Sequence, residues 1–191
     1  MFSHNRMGLV REPPSPIVMD FEKVLRKRWM VRSFKPTPVP DEKVWKILRN
    51  AIRAPSAGHL QPWDFVIVKD RNTKTRLARA ALNQTFIEEA PVVIVACANT
   101  HRSATRYGER GIRFYSLIDT AFASLIILLT AVNEGLGASF VGAFHDEEVS
   151  KILGLPDHIR PVGIINVGHP KEKPTRLNRI PLENLVHPEK W

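Results

Sequence analysis

The sequence predicts one layered domain of the α/β or α+β class, in which helices cover a central sheet. Its 191 residues suffice for one domain with an ordinary core, and 43% hydrophobic content with 25% charge is typical of globular proteins. Short apolar runs alternate with helical patterns along the chain. Residues 92–98 are apolar at every position, which predicts a central strand covered on both faces.

The N-terminal half contains two predicted helices followed by a strand. Asp20 is a candidate N-cap for a helix that runs to about Arg28. A second helix begins at Asp41 and ends at Pro55, since the residue before a proline avoids helical geometry. Its predicted apolar face consists of Val44, Trp45, Ile47, Leu48, Ala51 and Ile52. A strand over 65–68 and a basic helix over about 71–82 follow.

The C-terminal half contains the longest predicted helix, over residues 112–134. Its apolar stretch 120–132 is shorter than a membrane span needs, so we expect a buried helix. The preceding residues 99–111 are polar and predict a loop long enough to act as a lid. A strand, a short helix and a further strand complete the predicted domain, residues 20–191. The first 19 residues contain three prolines and predict an extended or disordered arm.

The chain is strongly basic, with a net charge of +9, and this charge has three interpretations. It could bind nucleic acid, an acidic membrane surface, or an anionic ligand that a few arginines hold. Two basic clusters lie far apart in sequence, and each could also be plain solvated surface: Arg26, Lys27, Arg28 and Arg32 in the first, Arg176 and Arg179 in the second. Because guanidinium groups bind phosphate through paired hydrogen bonds, both clusters could hold one phosphate.

The sequence gives only weak signals for a metal site or a catalytic triad. The single cysteine, Cys97, lies in the apolar run and predicts a buried side chain, a reducing cytoplasmic location and no structural zinc. Ser56, His59 and Asp64 are near one another in sequence, but no pattern arranges them as a nucleophile, base and acid.

Several segments together resemble the nitroreductase family of FMN-dependent oxidoreductases. The N-terminal signature is "RWMVRSFKPTPVPDEKVWKILRNAIRAPSAGHLQPWDFVIV". "NQTFIEEAPVVIVAC", "IDTAFASLIILLTAVNEGLGASFVGAF", "VGIINVGHP" and "RIPLENLVHPEKW" continue the resemblance in the family's order. It covers about residues 20–191 and implies the nitroreductase-like α+β fold: a mixed central sheet flanked by helices, in an intertwined homodimer.

The resemblance also implies the cofactor and the residues that hold it. In this family FMN lies at the dimer interface, and NAD(P)H is the electron donor. Arg28 and Arg179 match the phosphate-binding positions, and Arg32 matches a cation that stabilises charge on the reduced flavin. The remaining implied cofactor-binding residues are Trp29 and Met30, Pro55, Ser56, Ala57 and His59 in a loop from the other subunit, Gln84, and Val141, Gly142 and Ala143 in a strand.

Three positions depart from the family's pattern. Met30 stands where a serine is usual, so a hydroxyl donor is lost at a cost of about 1 kcal/mol if nothing replaces it. Trp29 stands where a second basic residue is frequent, and His59 stands where an asparagine is usual. The charge of His59 would change with pH.

The function implied is hydride transfer from NAD(P)H through flavin N5 to an electron-poor acceptor such as a nitroaromatic or a quinone. No side chain is expected to react, because the cofactor carries the chemistry. The same fold could serve reductive dehalogenation, enoate reduction or a pathway-specific dehydrogenation. A basic nucleic-acid-binding protein is the alternative from another class, although neither a nucleic-acid nor a membrane partner is expected.

Overall fold

The computed structural model describes residues 19–174 and 178–191, so most of the predicted N-terminal arm and Arg176 lie outside the described residues. The α-helices are α1 (Phe21–Lys27), α2 (Asp41–Ala51), α3 (Arg71–Ala80), α4 (Phe86–Glu89), α5 (Thr100–Arg110), α6 (Ser116–Asn133) and α7 (Asp146–Leu153). The strands are β1 (Trp63–Val68), β2 (Val92–Asn99), β3 (Gly137–Val141) and β4 (Ile159–Gly168). Single turns of 3₁₀-helix occur at Ala57–His59 and Leu182–Asn184, and a π-helical turn at Gly111–Tyr115 joins α5 to α6.

The four strands form one sheet in the order β1-β2-β4-β3, and every neighbouring pair is antiparallel. An isolated parallel bridge joins Met30 to Ala138 at the β3 edge. The described strands therefore form an antiparallel sheet and not the expected mixed one, since the Met30 end of this bridge lies outside them. The predicted α+β class, with helices on both faces of a central sheet, is confirmed.

The central strand β2 explains why the core has two halves. Val93, Val95 and Cys97 point to one face, where they pack with residues of α3, α4 and α7. Ile94 and Ala96 point to the other face and pack with α2 and α6. Full burial of side chains such as Ile94 contributes about 1.5–3 kcal/mol each, so the uninterrupted apolar run stabilises both layers.

Two predictions about helices were wrong. The second helix, α2, ends at Ala51, four residues before Pro55, and Trp45 and Ile52 are 56% and 51% exposed instead of lying on its buried face. Of the predicted loop 99–111, Asn99 ends β2 and residues 100–111 are helical. The Asn99 side chain caps α5 by accepting the Arg102 N–H at 3.1 Å.

The segment from α5 through α6 is a helical hairpin that turns at Gly108, where φ is +50°. Gly111 then lies against the first arm, because a Cβ atom there would stand 2.5 Å from the Ser103 carbonyl oxygen. By length and composition, Thr100–Asn133 could cross a membrane, but 56% of its most apolar window is buried inside the fold. That burial agrees with the predicted core helix.

Two close contacts inside the sheet constrain the sequence. On β4, Gly163 lies under the Phe140 ring, and an added Cβ would stand 2.1 Å from the Phe140 Cε2 atom. Farther along β4, Asn166 is fully buried and its Nδ2 donates to the Ser139 Oγ at 3.1 Å. The Oδ1 of Asn166 has no hydrogen-bond partner among the described residues.

Candidate functional site

A basic cavity of about 1280 Å³ lies where the two ends of the domain meet. Its walls come from the end of α1 and the segment after it, the turn between α6 and β3, and the C-terminal segment. We call it the basic cavity; its charged lining residues are Arg26, Lys27, Arg28, Arg32, Glu172 and Arg179.

Backbone hydrogen bonds bring these distant segments together. After α1, the chain runs extended beside β3, and Val31 N–H donates to the Ala138 carbonyl at 3.1 Å. The chain after β4 then returns along the other side: Lys35 N–H donates to His169 O at 2.8 Å, and Lys171 N–H donates to Ser33 O at 3.0 Å. The segment that carries Arg28 and Arg32 is therefore held between β3 and the C-terminal chain.

The charge in the basic cavity suits an anion. Glu172 is the one carboxylate among the described lining residues, and its Oε1 accepts the backbone N–H of Arg32 at 2.8 Å. Arg26 pairs with Glu22 at 2.9 Å, but both side chains are more than 60% exposed, so the pair contributes little. Neither Arg28 nor Arg179 forms an ion pair with a described carboxylate. Their guanidinium groups thus have no acid to compete with a phosphate.

One wall of the cavity is closely packed at Gly137. A Cβ atom at Gly137 would stand 2.5 Å from the Val31 Cγ2 and 2.7 Å from the Pro170 Cγ. Trp29 and Met30 line the same space and are half-buried. The cavity therefore offers both cations and apolar surface, as a phosphate-bearing ring compound requires.

A second group of predicted site residues meets at the end of β3. Val141 closes the strand and is buried, whereas Gly142 and Ala143 are exposed just beyond it. Gln84 reaches this end, and its Nε2 donates to the Ala143 carbonyl at 3.2 Å and to the Ala81 carbonyl at 3.0 Å. Gln84 and the 141–143 segment are thus neighbours, although neither lines the basic cavity.

The loop from Pro55 to His59 forms a third group. Its backbone is unusual, because Gly58 and His59 have φ values of +56° and +58°. The Ser56 Oγ accepts the Gln61 N–H at 3.0 Å, and the His59 Nε2 lies 3.2 Å from the Gln61 Nε2. These contacts shape the loop itself.

The same contacts argue against a catalytic triad. Neither Ser56 nor His59 hydrogen-bonds to Asp64, whose carboxylate instead contacts Asn99 at 3.0 Å and Arg102 at 3.3 Å. The structure does not arrange Ser56, His59 and Asp64 as a relay.

Asp119 contacts the Pro55–His59 loop, a role that the sequence did not predict. It lies in the first turn of α6, only 3% exposed, and its Oδ2 accepts the Ala57 N–H at 3.1 Å. Burial raises the pKa of this carboxyl, and the hydrogen bond from Ala57 opposes that rise. Its only sequence signal was one acid next to a long apolar stretch. Asp119 ties the Pro55–His59 loop to the core.

The structure therefore gathers the predicted residues into three places in one chain. The basic cavity joins Arg28, Trp29, Met30 and Arg32 to Arg179, so the two described basic clusters do converge. The loop residues Pro55, Ser56, Ala57 and His59, and the group Gln84, Val141, Gly142 and Ala143, lie outside its lining. Glu172 and Gly137 join the cavity without having been predicted.

Comparisons with known proteins agree with this architecture. The NADH dehydrogenase of Thermus thermophilus is 34% identical over 88% of this chain and 96% of its own length. A solved structure from Parabacteroides distasonis, a putative NADH dehydrogenase/NAD(P)H nitroreductase, is 32% identical with a TM-score of 0.80, covering 90% of this chain and 98% of its own. The NADPH:FMN oxidoreductase of Vibrio harveyi, solved with NAD+, is 26% identical with a TM-score of 0.83. The match covers 90% of this chain and 77% of the Vibrio harveyi chain.

A family model matches most of the chain directly. The model of the Nitroreductase family covers residues 25–85 and 78–169, which include α2 to α7, the whole sheet and the segment that carries Arg28 and Arg32. Together with the relatives above, this match leads to one conclusion. The chain belongs to the nitroreductase family.

Proposed function

We propose that this protein is an FMN-dependent oxidoreductase that takes electrons from NAD(P)H and gives them to an electron-poor acceptor such as a nitroaromatic or a quinone. The observation that carries the proposal is the basic cavity. It joins Arg28 and Arg32 to Arg179, about 150 positions later in the sequence, in one anion-binding space. For a nitroaromatic the balanced first step is NAD(P)H + H⁺ + ArNO₂ → NAD(P)⁺ + ArNO + H₂O.

The cavity residues fit FMN. Arg28 and Arg179 would hold the phosphate, since neither is occupied by a described carboxylate. Arg32 would stabilise negative charge on the pyrimidine side of the reduced ring. The half-buried Trp29 and Met30 in the same lining would give the ring apolar surface to lie against. When bound, FMN supplies the two-electron chemistry, and these residues bind and orient it.

The residues around Ala143 would serve the reacting side of the site. Gly142 carries no side chain and Ala143 carries a methyl group, so a flat substrate can approach the backbone beyond β3. The contact from Gln84 to the Ala143 carbonyl holds this segment at the strand end. Fixed backbone groups of this kind lower the cost of organising a site during reaction.

The protein would work as a homodimer. In one chain the Pro55–His59 loop and the basic cavity have no lining residue in common. A second copy of the chain can bring its loop to the cavity, and the resemblance gives that loop this role. Sedimentation of the purified protein should therefore give the mass of a dimer, and dilution to monomer should release FMN.

We also propose a cytoplasmic location. The single cysteine, Cys97, is a free and fully buried thiol on β2. Burial raises its pKa to about 12, so the thiol stays protonated and unreactive. A protein that needs no disulfide suits a reducing compartment.

Anaerobic titration followed by a panel of acceptors tests the proposed function. NADH or NADPH should bleach the visible flavin absorbance, and a nitroaromatic or quinone should restore it in a second, separable step. Halogenated aromatics and enoates belong in the panel, since the same fold could reduce them. A flavin that neither nicotinamide bleaches would refute NAD(P)H-dependent reduction.

A further inference from the structure

The tip of the α5–α6 hairpin carries arginines and aromatic rings that pack against one another at tilted and edge-on angles. We call this group the Arg–aromatic cluster; its members are Arg106, Tyr107, Arg110, Phe114 and Tyr115. The turn at Gly108 and the π-helical turn after it place all five side chains at one end of the hairpin. Irregular π turns inside helices are frequent at functional sites.

Arg110 is the centre of the cluster. Its guanidinium carbon lies 4.7 Å from the centroid of the Phe114 ring and 5.2 Å from that of the Tyr115 ring. Its Nε also donates to the Tyr115 hydroxyl at 3.1 Å. Tyr115 in turn packs against Tyr107 at 4.8 Å between ring centroids. The exposed guanidinium therefore lies within cation–π distance of two aromatic rings.

Two cations of the cluster are not neutralised. Arg113 pairs with Glu109 at 2.7 Å, which cancels both of those charges. In the described part of the chain, neither Arg106 nor Arg110 forms an ion pair with a carboxylate. The tip therefore has two positive charges next to exposed aromatic surface, and Phe114 is 44% exposed.

An open cavity of about 510 Å³ lies at this tip. Its lining residues are Glu109, Arg110, Arg113 and Phe114. It is a shallow depression open to solvent and not an enclosed pocket. A ring that enters it meets the Phe114 face, and a negative group on that ring meets the Arg110 guanidinium.

The cluster also adjoins the loop that the proposed function places against FMN. A Cβ atom at Gly58 would stand 2.8 Å from the Tyr107 hydroxyl and 3.0 Å from the Arg106 Nη1. Gly58 lies inside the Pro55–His59 loop, so Arg106 and Tyr107 cover the outer side of that loop. A ligand at the cluster would thus lie next to a segment of the flavin site.

We propose that the Arg–aromatic cluster binds the electron acceptor, and that the acceptor is an aromatic carboxylate. The ring stacks on Phe114 and the carboxylate pairs with Arg110, with Arg106 adding charge. This assignment rests on the proposed function, because it names the acceptor for that same site. It adds no chemical step: the cluster selects and positions a compound that the site then reduces.

A matched pair of acceptors tests the assignment. We expect 4-nitrobenzoate to have a kcat/KM about two- to fivefold above that of 4-nitrobenzamide, since Arg110 is exposed and exposed charge pairs are worth at most about 1 kcal/mol. Arg110→Gln should remove most of this preference, by lowering kcat/KM for 4-nitrobenzoate more than for 4-nitrobenzamide. Arg79→Gln, an exposed arginine of α3, is the matched control and should keep the preference.

A binding readout separates recognition from turnover. The dissociation constant of 4-nitrobenzoate for the oxidised protein, measured by calorimetry, should rise about two- to fivefold in Arg110→Gln and stay constant in Arg79→Gln. Arg110→Lys keeps the charge without the planar group and should give an intermediate value. Arg106→Gln provides a second removal of charge should Arg110→Gln fail to fold.

Other outcomes overturn the proposal. Unchanged acceptor preference and unchanged 4-nitrobenzoate binding in Arg110→Gln, with FMN content intact, would exclude the cluster as the acceptor site. If Arg110→Gln lowers kcat/KM for NADPH but not for NADH, and leaves the binding of 4-nitrobenzoate unaffected, the cluster would be assigned to the phosphate of the electron donor instead. Failure of the proposed function itself would look different, since NADH and NADPH would then leave the flavin oxidised even in the wild-type protein.

Discussion

Replacing Arg28 by glutamine should weaken the binding of FMN but not of riboflavin. Arg28 is half-buried in the wall of the basic cavity and forms no ion pair with a described carboxylate. The substitution therefore leaves no acid unpaired, and its main effect is the loss of a cation from the phosphate site. Riboflavin has the same ring system as FMN and no phosphate, so it is a ligand-side control.

The expected magnitude follows from the lost contact. A hydrogen bond to a charged group is worth about 1.5–3 kcal/mol, which raises the dissociation constant of FMN by about 10- to 150-fold. Arg179 lines the same cavity and can still neutralise the phosphate, which favours the lower end of this range. Because salt partly screens the charges, the difference in FMN dissociation constant between Arg28→Gln and wild type should shrink as ionic strength rises.

Titration of the apoprotein with each flavin, followed by flavin fluorescence, measures the effect. Arg71→Gln removes an exposed arginine at the start of α3 and is the matched control, because it changes net charge equally outside the cavity. Equal weakening for FMN and riboflavin in Arg28→Gln would mean that Arg28 supports the fold or the ring instead of the phosphate. Equal FMN affinity in Arg28→Gln and wild type would refute the assignment of the phosphate site.

Three further substitutions test contacts in the core and at the loop. Burial raises the pKa of Asp119 above its usual 3.8, so the folded chain binds its proton more tightly and loses stability as pH rises from 3.8 toward the raised pKa. The free energy of unfolding of Asp119→Asn, relative to that of wild type, should therefore be higher near neutral pH than in mild acid. Urea unfolding at the two pH values measures this difference. Gly163→Ala should lower the free energy of unfolding by about 1–3 kcal/mol, because its methyl group overlaps the Phe140 ring, and Phe140→Leu in the same chain should restore part of the loss. Ser139→Ala should cost about 1–3 kcal/mol by leaving the Asn166 Nδ2 unpaired, whereas adding Asn166→Val should recover much of it.

Each of the three has an opposite result that would contradict its reason. An Asp119→Asn variant whose stability relative to wild type is the same at both pH values would mean that the carboxyl titrates normally. Additive losses in the Gly163 and Phe140 double variant would mean that the ring is not what the new methyl group meets. A double variant of Ser139 and Asn166 less stable than Ser139→Ala would show that the polar pair is net stabilising.

The sequence predicted those parts of the fold whose local signals agree with the tertiary structure. The run from Val92 to Ala98 is apolar throughout, and it is buried throughout because it is the second strand of the sheet. Asp20 was a candidate N-cap, and its side chain accepts the Lys23 N–H at 2.8 Å. In both places one local preference is enough to determine the structure.

The segment 99–111 was mispredicted because its helical state depends on contacts outside it. Polar residues and Gly108 indicate a loop when they are considered alone. The hairpin forms because Gly111 fits against the Ser103 backbone and Arg102 reaches the Gln61 carbonyl at 2.6 Å. Those partners are not visible in a local pattern.

Some residues of the candidate site could likewise be predicted from the sequence, and others could not. The chemistry of guanidinium groups suggested that two distant clusters share one anion, and the structure places Arg28 and Arg179 around one cavity. Asp119 and Glu172 could not be assigned, since their roles come from single long-range hydrogen bonds to the backbone of Ala57 and Arg32. The location of the Pro55–His59 loop relative to FMN remains a prediction that depends on the second subunit.

The flavin content of the purified protein shows whether the basic cavity binds FMN. Heat or acid should release the cofactor from the protein, and chromatography against standards identifies and quantifies it. We expect FMN, equimolar with the chain, after reconstitution with FMN and removal of the excess. A protein that stays colourless after this treatment, or that retains riboflavin as well as it retains FMN, would contradict a phosphate-binding flavin site in the basic cavity.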